Sequence, residues 1–197
     1  MNLQIRPAIV SDNRFIAEMI ELSSDGVASL EWQRESERQT GVTALDIGSK
    51  RYSNKEGDYS YRNCIIAETD TPVGTLLSFP ITRENMSTDA KPPPYSSDDV
   101  YAPYKYLEAL DSWYICGVAV KAECRQKGIA THLIKRSIEQ GKKRGFTNTS
   151  LVAMYEKKGL ISFYESLGFK ITLSAPIVEH PGIRATGDAV LMENDPK

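Results

Sequence analysis

Long apolar runs are missing from this sequence. None approaches the ~20 residues that a membrane-spanning helix needs, and Met1-Asn2-Leu3-Gln4-Ile5-Arg6 offers no apolar core of a secretion signal. No membrane partner is therefore expected. A charge excess is missing too: Lys plus Arg number 24 against 26 Asp plus Glu, a net charge of −2. That balance supplies no field to collect nucleic acid. Cysteine is scarce: Cys64, Cys116 and Cys124 are an odd number without metal-like spacing. They imply free thiols in a reducing, cytoplasmic setting. Histidine is scarcer, with only His132 and His180. Neither stands among ligand-type residues at a metal spacing, so no metal is expected. No internal repeat is present.

What remains is an ordinary globular composition, 41% hydrophobic and 25% charged over 197 residues. Such a length suits one domain, residues 1–197, with a sizeable core. Cys64 and Cys116 sit in apolar strand patterns and are expected to be buried. Cys124 reads as a loop residue rather than a catalytic thiol, since neither histidine is placed to activate it.

Strand and helix patterns alternate along the chain. Leu3 to Arg6 reads as a strand, and Ser11-Asp12-Asn13 supplies N-cap chemistry for a helix carrying Phe15, Ile16, Met19, Ile20 and Leu22. Residues 27–49 are polar with helical stretches, broken at Gly41 and Gly48. Arg62 to Ala67 and Val73 to Pro80 form a hairpin around Glu68-Thr69-Asp70-Thr71-Pro72. An insertion at about 81–110 is rich in Ser, Asp and Pro, then in Tyr95, Tyr101, Tyr104 and Tyr106, with a short helix after Pro103. A strand from Trp113 follows, then a helix from about Gly128 to Arg144. Its apolar face is Ile129, Ala130, Leu133, Ile134, Ile138 and Gly141. Thr149 to Tyr155, Phe169 to Leu173 and Ala189 to Met192 read as strands, and Leu160 to Ser166 as a helix. The sum is an α/β fold: a mixed, mostly antiparallel sheet with helices on both faces.

The most informative stretch is Trp113 to Ala130, WYICGVAVKAECRQKGIA. An apolar strand delivers Arg125-Gln126-Lys127-Gly128-Ile129-Ala130 to a helix start. The first helical N–H groups lack intrahelical partners, and the positive end of the helix dipole adds to them, which makes an anion site. Gly128 lets a phosphate approach the backbone, and Arg125 and Lys127 supply charge.

Val118-Ala119-Val120, a four-residue spacer, and Arg-x-x-Gly-x-Ala followed by Leu133 and Ile134 resemble the acyl-coenzyme A signature of the GNAT N-acetyltransferase superfamily. Three further segments resemble it in order: Ile5-Arg6-Pro7-Ala8 with Asp12, the hairpin Cys64–Glu68 and Val73–Phe79, and Phe163-Tyr164-Glu165-Ser166-Leu167-Gly168-Phe169. Only residues 27–60 and 81–110 lie outside the likeness. It implies a sheet splayed at the coenzyme site, with acetyl-coenzyme A as co-substrate. Backbone groups of Val118, Ala119 and Val120 would bond the pantetheine chain as an added strand does. Arg125, Gln126, Lys127, Gly128, Ile129, Ala130 and Thr131 would hold the diphosphate. Ala130 replaces the commoner glycine, and Lys157 stands where the family carries a coenzyme-contacting Asn.

Acetyl transfer to an amine needs a neutral amine, a stabilised oxyanion and a proton for the departing thiolate. Tyr164 matches the family's acid position; a core aromatic is its other reading. The usual base positions hold Tyr114 and Val152, so no carboxylate stands there. Glu68, Glu108 and Asp111 are the nearest carboxylates, and a water chain through the Tyr114 hydroxyl is an equal alternative. The implied function is direct transfer in a ternary complex from acetyl-coenzyme A to a small amine. A peptide or protein N-terminus is the second acceptor, and a non-catalytic acyl-coenzyme A sensor is the rival from another class. Homodimerisation stays open. The tyrosines of the insertion either pack or shape the acceptor pocket.

Overall fold

The computed structural model describes residues 3–95 and 99–194. In chain order the elements are β1 (Gln4–Pro7), α1 (Asn13–Ser23), α2 (Val27–Ser36), α3 (Ala44–Tyr52), β2 (Cys64–Glu68) and β3 (Pro72–Ile81). There follow α4 (Ala102–Tyr106), β4 (Ser112–Val120), α5 (Ile129–Lys143), β5 (Asn148–Met154), α6 (Lys158–Ser166), β6 (Lys170–Pro176) and β7 (Asp188–Asn194). The strands make one open, mixed sheet in the order β1-β2-β3-β4-β5-β7-β6. Pairing is antiparallel for β1 with β2, β2 with β3, β5 with β7 and β6 with β7. It is parallel for β4 with β5, from Ser112↔Asn148 to Ile115↔Leu151.

The chain forms two compact units, Met1–Ser78 with Cys116–Ser137 and Phe79–Ile115 with Ile138–Lys197. In the first, glycines set how closely helices approach the strands. A Cβ on Gly117 would stand 2.8 Å from Ile20 of α1. One on Gly74 would stand 3.2 Å from Val120 and 3.4 Å from Leu133 of α5. Gly117 and Val120 are three apart on one strand and so point to opposite faces. Within this unit α1 and α5 therefore cover the two faces of the sheet. Ile16, Ile66, Leu76, Leu77, Leu133 and Ile134 fill the space between and are fully buried.

Gly48 was expected to break a helix, yet it lies inside α3. Packing overrides propensity here: a Cβ at this position would sit 2.7 Å from the ring of Trp32, which is buried in α2. Thr43 starts α3 with a reciprocal cap, its Oγ1 accepting from Asp46 N–H and Asp46 accepting from Thr43 N–H.

Asp12 was expected to cap α1. Its carboxylate instead accepts from Ile9 N–H at 2.8 Å and from both terminal nitrogens of Arg6, at 2.7 and 3.0 Å. Charge-assisted, bidentate bonds are stronger than a neutral cap. The Arg6 Nε reaches Glu68 at 2.6 Å, tying β1 to the end of β2.

In the second unit Gly141 of α5 admits the Trp113 ring, from which a Cβ would be 2.6 Å away. Arg144 stacks on the same ring at 4.9 Å. Ser112 and Ser150 share a buried hydrogen bond of 2.6 Å across β4 and β5. The insertion is folded on itself. Glu108 accepts from Ser87 N–H at 2.7 Å, and Lys105 bridges Asp89 and Asp99.

Burial works to raise the Asp12 carboxyl, but the Arg6 bond, the Ile9 N–H and the Arg6 charge together hold it below the ordinary 3.8. A depressed carboxyl contributes stability above its unfolded value and loses it as pH falls through the folded value. Stability is thus expected to drop below pH 3.8. In Asp12→Asn this part of the acid limb should flatten, with a loss of about 1–2 kcal/mol at neutral pH, the scale of a hydrogen bond to a charged group, since Arg6 keeps Glu68 as a partner. Urea titrations from pH 7 to 2 check this, and an unchanged acid limb would count against it.

Candidate coenzyme site

β4 ends where Lys121 N–H donates to the Val73 carbonyl at 2.8 Å. A single 3-10 turn, Ala122–Cys124, brings the chain to Arg125, which is extended at φ −68°, ψ 166°. Two left-handed residues follow, Gln126 at φ +59° and Gly128 at φ +75°. For glutamine this conformation costs about 1–2 kcal/mol. Turns of this kind build the concave anion nests of phosphate loops. At Gly128 space is not the constraint, because a Cβ would meet only the His132 ring at an ordinary 3.7 Å. The backbone angle is.

Arg125, Gln126, Lys127 and Gly128 are all exposed, while Ile129, Leu133 and Ile134 anchor the helix beneath them in the core. Arg125 Nε donates to the Val120 carbonyl at 3.1 Å, and Lys127 Nζ to the Glu123 carbonyl at 3.0 Å. Two cations are thereby fixed along the loop. The helical ladder begins with His132 N–H on the Gly128 carbonyl at 3.1 Å, so the N–H groups of Ile129, Ala130 and Thr131 precede it. Left-handed turn, cations and helix start converge on one chemistry, the binding of a phosphate-like anion. Val118 on β4 is half-buried, and Ala119 and Val120 are buried.

Cys116 lies just upstream and is half-buried rather than buried as expected, in the stretch Cys116–Val118 where β4 is least covered. Desolvation pushes its thiol up to about 12, and burial raises Cys64 further. Neither is a ready nucleophile, since the thiolate is the reactive form. Nearby Arg51 stacks on the Tyr59 ring at 4.0 Å and pairs with Glu31.

Apart from Glu68, the remaining expected site residues belong to the second unit. Tyr114 is half-buried and meets Phe79 edge-on at 5.5 Å. Lys157 is the N-cap of α6 and makes no side-chain cap bond. Tyr164 is buried between Phe163, at 5.4 Å, and Phe169, at 5.9 Å, and burial drives its phenol upward. Glu68 is engaged by Arg6 and Glu108 by Ser87, so each carboxylate has a structural employment. Asp111 is exposed at the entry to β4 with φ +57°. The phenol oxygens of Tyr95, Tyr101 and Tyr104 are buried, while each residue as a whole is half-buried. Among the described residues no group of His, Cys, Asp or Glu is placed to hold a metal ion. Sequence patterns gave no warning of the left-handed Gln126, nor of the His132 ring lying on Gly128, although their four-residue spacing on a helix start allows it.

The family model described as "Acetyltransferase (GNAT) family" matches residues 27–169. This chain belongs to the GNAT acetyltransferase family. An uncharacterized N-acetyltransferase of Methanocaldococcus jannaschii is 43% identical over 53 residues, 27% of this chain and 24% of that protein. The match thus spans about a quarter of that relative's length. An acetyltransferase crystal structure covers 98% of this chain and 100% of its own, with TM-score 0.68 and 19% identity. Diaminobutyrate acetyltransferase EctA from Paenibacillus lautus, solved with L-2,4-diaminobutyric acid and coenzyme A, covers 99% and 95%, with TM-score 0.59 and 15% identity. The GNAT fold and membership of an acetyltransferase family are thereby established for this chain.

The two left-handed positions make opposite demands. Gly128→Ala should cost about 1 kcal/mol because a Cβ is forced to φ +75°. Gln126→Gly should stay within about 0.5 kcal/mol of the parent, since relief of strain offsets the added entropy of the unfolded chain. Urea denaturation of both variants checks this; equal losses at both positions would contradict the backbone account.

Proposed function

We propose that this GNAT-family chain is an N-acetyltransferase that moves an acetyl group from acetyl-coenzyme A to the primary amine of a small molecule, by direct transfer in a ternary complex. The observation that carries this reading is the exposed loop Arg125–Gly128, with its left-handed Gln126 and Gly128, set at the start of α5. In this reading Arg125, Gln126, Lys127, Gly128, Ile129, Ala130 and Thr131 hold the diphosphate. Peptide groups of Val118, Ala119 and Val120 bond the pantetheine arm, and Lys157 adds a contact from α6. Fixing the donor lowers the entropy cost of bringing thioester and amine together.

The amine nitrogen attacks the thioester carbonyl carbon, the carbon–sulfur bond breaks, and the departing thiolate takes up a proton. Tyr164 supplies that proton; its upward-shifted phenol stays protonated throughout the neutral range. A water chain with the Tyr114 hydroxyl as one link removes the amine proton. Direct transfer is supported by the raised Cys116 and Cys64 thiols, which argue against an acyl-cysteine intermediate. A small acceptor is supported by the folded insertion, clasped by Glu108 and Lys105, which argues against a wide peptide groove. We also read the chain as a single GNAT domain carrying that insertion.

Thiol release from acetyl-coenzyme A across a panel of small amines and N-terminal peptides tests the reading, and turnover on small amines is expected. Tyr164→Phe keeps the ring packing and should lower kcat by about 10²-fold or more, with donor affinity retained. Saturable donor binding with no turnover on any amine would favour a sensor. A Tyr164→Phe variant within about twofold of the parent would leave Tyr164 a packing residue.

A further inference from the structure

The imidazole of His132 is exposed on the first turn of α5, yet it is held in place. Its Nδ1 lies 2.8 Å from the Gly128 carbonyl oxygen. A carbonyl only accepts, so Nδ1 carries the hydrogen. The same oxygen also accepts His132 N–H at 3.1 Å. Gly128 is thus gripped twice by one residue, once by backbone and once by ring. The ring also occupies the space above the glycine: its Cε1 and Nδ1 are each 3.7 Å from where a Gly128 Cβ would stand. Elsewhere in the chain the other histidine has the opposite arrangement, His180 Nδ1 accepting from Gly182 N–H at 3.0 Å. The donor role at His132 is therefore specific to its contact.

We propose that His132 is a positioning residue of the coenzyme loop: its Nδ1–H clamps the Gly128 carbonyl into the first turn of α5, holding Gly128 left-handed so that the adjoining N–H groups face the diphosphate. The proposal rests on the coenzyme reading above and adds to it a residue outside the Arg-x-x-Gly-x-Ala pattern. The physical reason is local. A glycine at φ +75° has many competing backbone states. A second hydrogen bond on its carbonyl favours the one that binds, so less order has to be created when the ligand arrives.

Asparagine and glutamine separate the two ring nitrogens, because the Asn amide nitrogen stands where Nδ1 does and the Gln amide nitrogen where Nε2 does. Calorimetry with coenzyme A on the parent, His132→Ala, His132→Asn and His132→Gln is the test, with thermal melting of each. His132→Ala is expected to bind about three- to tenfold more weakly, the worth of one net hydrogen bond, with little change in melting temperature. His132→Asn is expected to return within about twofold of the parent, and His132→Gln is not. Unchanged affinity in His132→Ala, or rescue by Gln instead of Asn, overturns the clamp. Should His132→Ala fail to fold, the Asn and Gln pair still decides. A parent protein that does not bind coenzyme A would instead overturn the coenzyme reading itself.

Discussion

Between Val120 and Ile129 the chain has to stop a strand, turn through two left-handed residues and start a helix whose first N–H groups face outward. Everything proposed for this protein depends on that corner. It is held from below by the buried Ile129, Leu133 and Ile134, and at the strand end by Lys121 N–H on Val73. Close approach matters as much as hydrogen bonding. Gly74 leaves room for Val120 and Leu133, and Gly117 for Ile20, so the helices lie tight against β3 and β4. An exposed loop with a strained Gln126 persists because these contacts over-determine its ends.

Cysteine is present near the middle of β4 but kept as a thiol by desolvation, and Glu108, shortly before the strand, is bonded to Ser87. Asp12 and Glu68 are both bonded to Arg6, which ties β1 to β2. The proposed reaction accordingly assigns proton transfer to the phenols of Tyr164 and Tyr114 and to water.

Much of this was legible in the sequence, for identifiable reasons. The central strands are near-continuous apolar runs and α5 carries a strong period-3.6 pattern, and the glycine of the loop stands at a spacing few other functions require. The loop's chemistry is local, so local sequence suffices to find it. Long-range choices were not legible. Gly48 reads as a breaker until Trp32 is brought against it, and Asp12 reads as a cap until Arg6 offers a stronger partner. The half-burial of Cys116 depends on which parts of β4 are covered, which no alternation pattern encodes. The His132 clamp was hidden for a further reason: a histidine on a helix surface has many possible partners, and only coordinates select one.

The backbone at the start of α5 is proposed as the diphosphate site. Titrating acetyl-coenzyme A into ¹⁵N-labelled protein and following backbone amide resonances tests it most directly. The account predicts saturable shifts, the largest at Gln126, Lys127, Gly128, Ile129, Ala130 and Thr131. Saturable binding that leaves these six amides unmoved would contradict it.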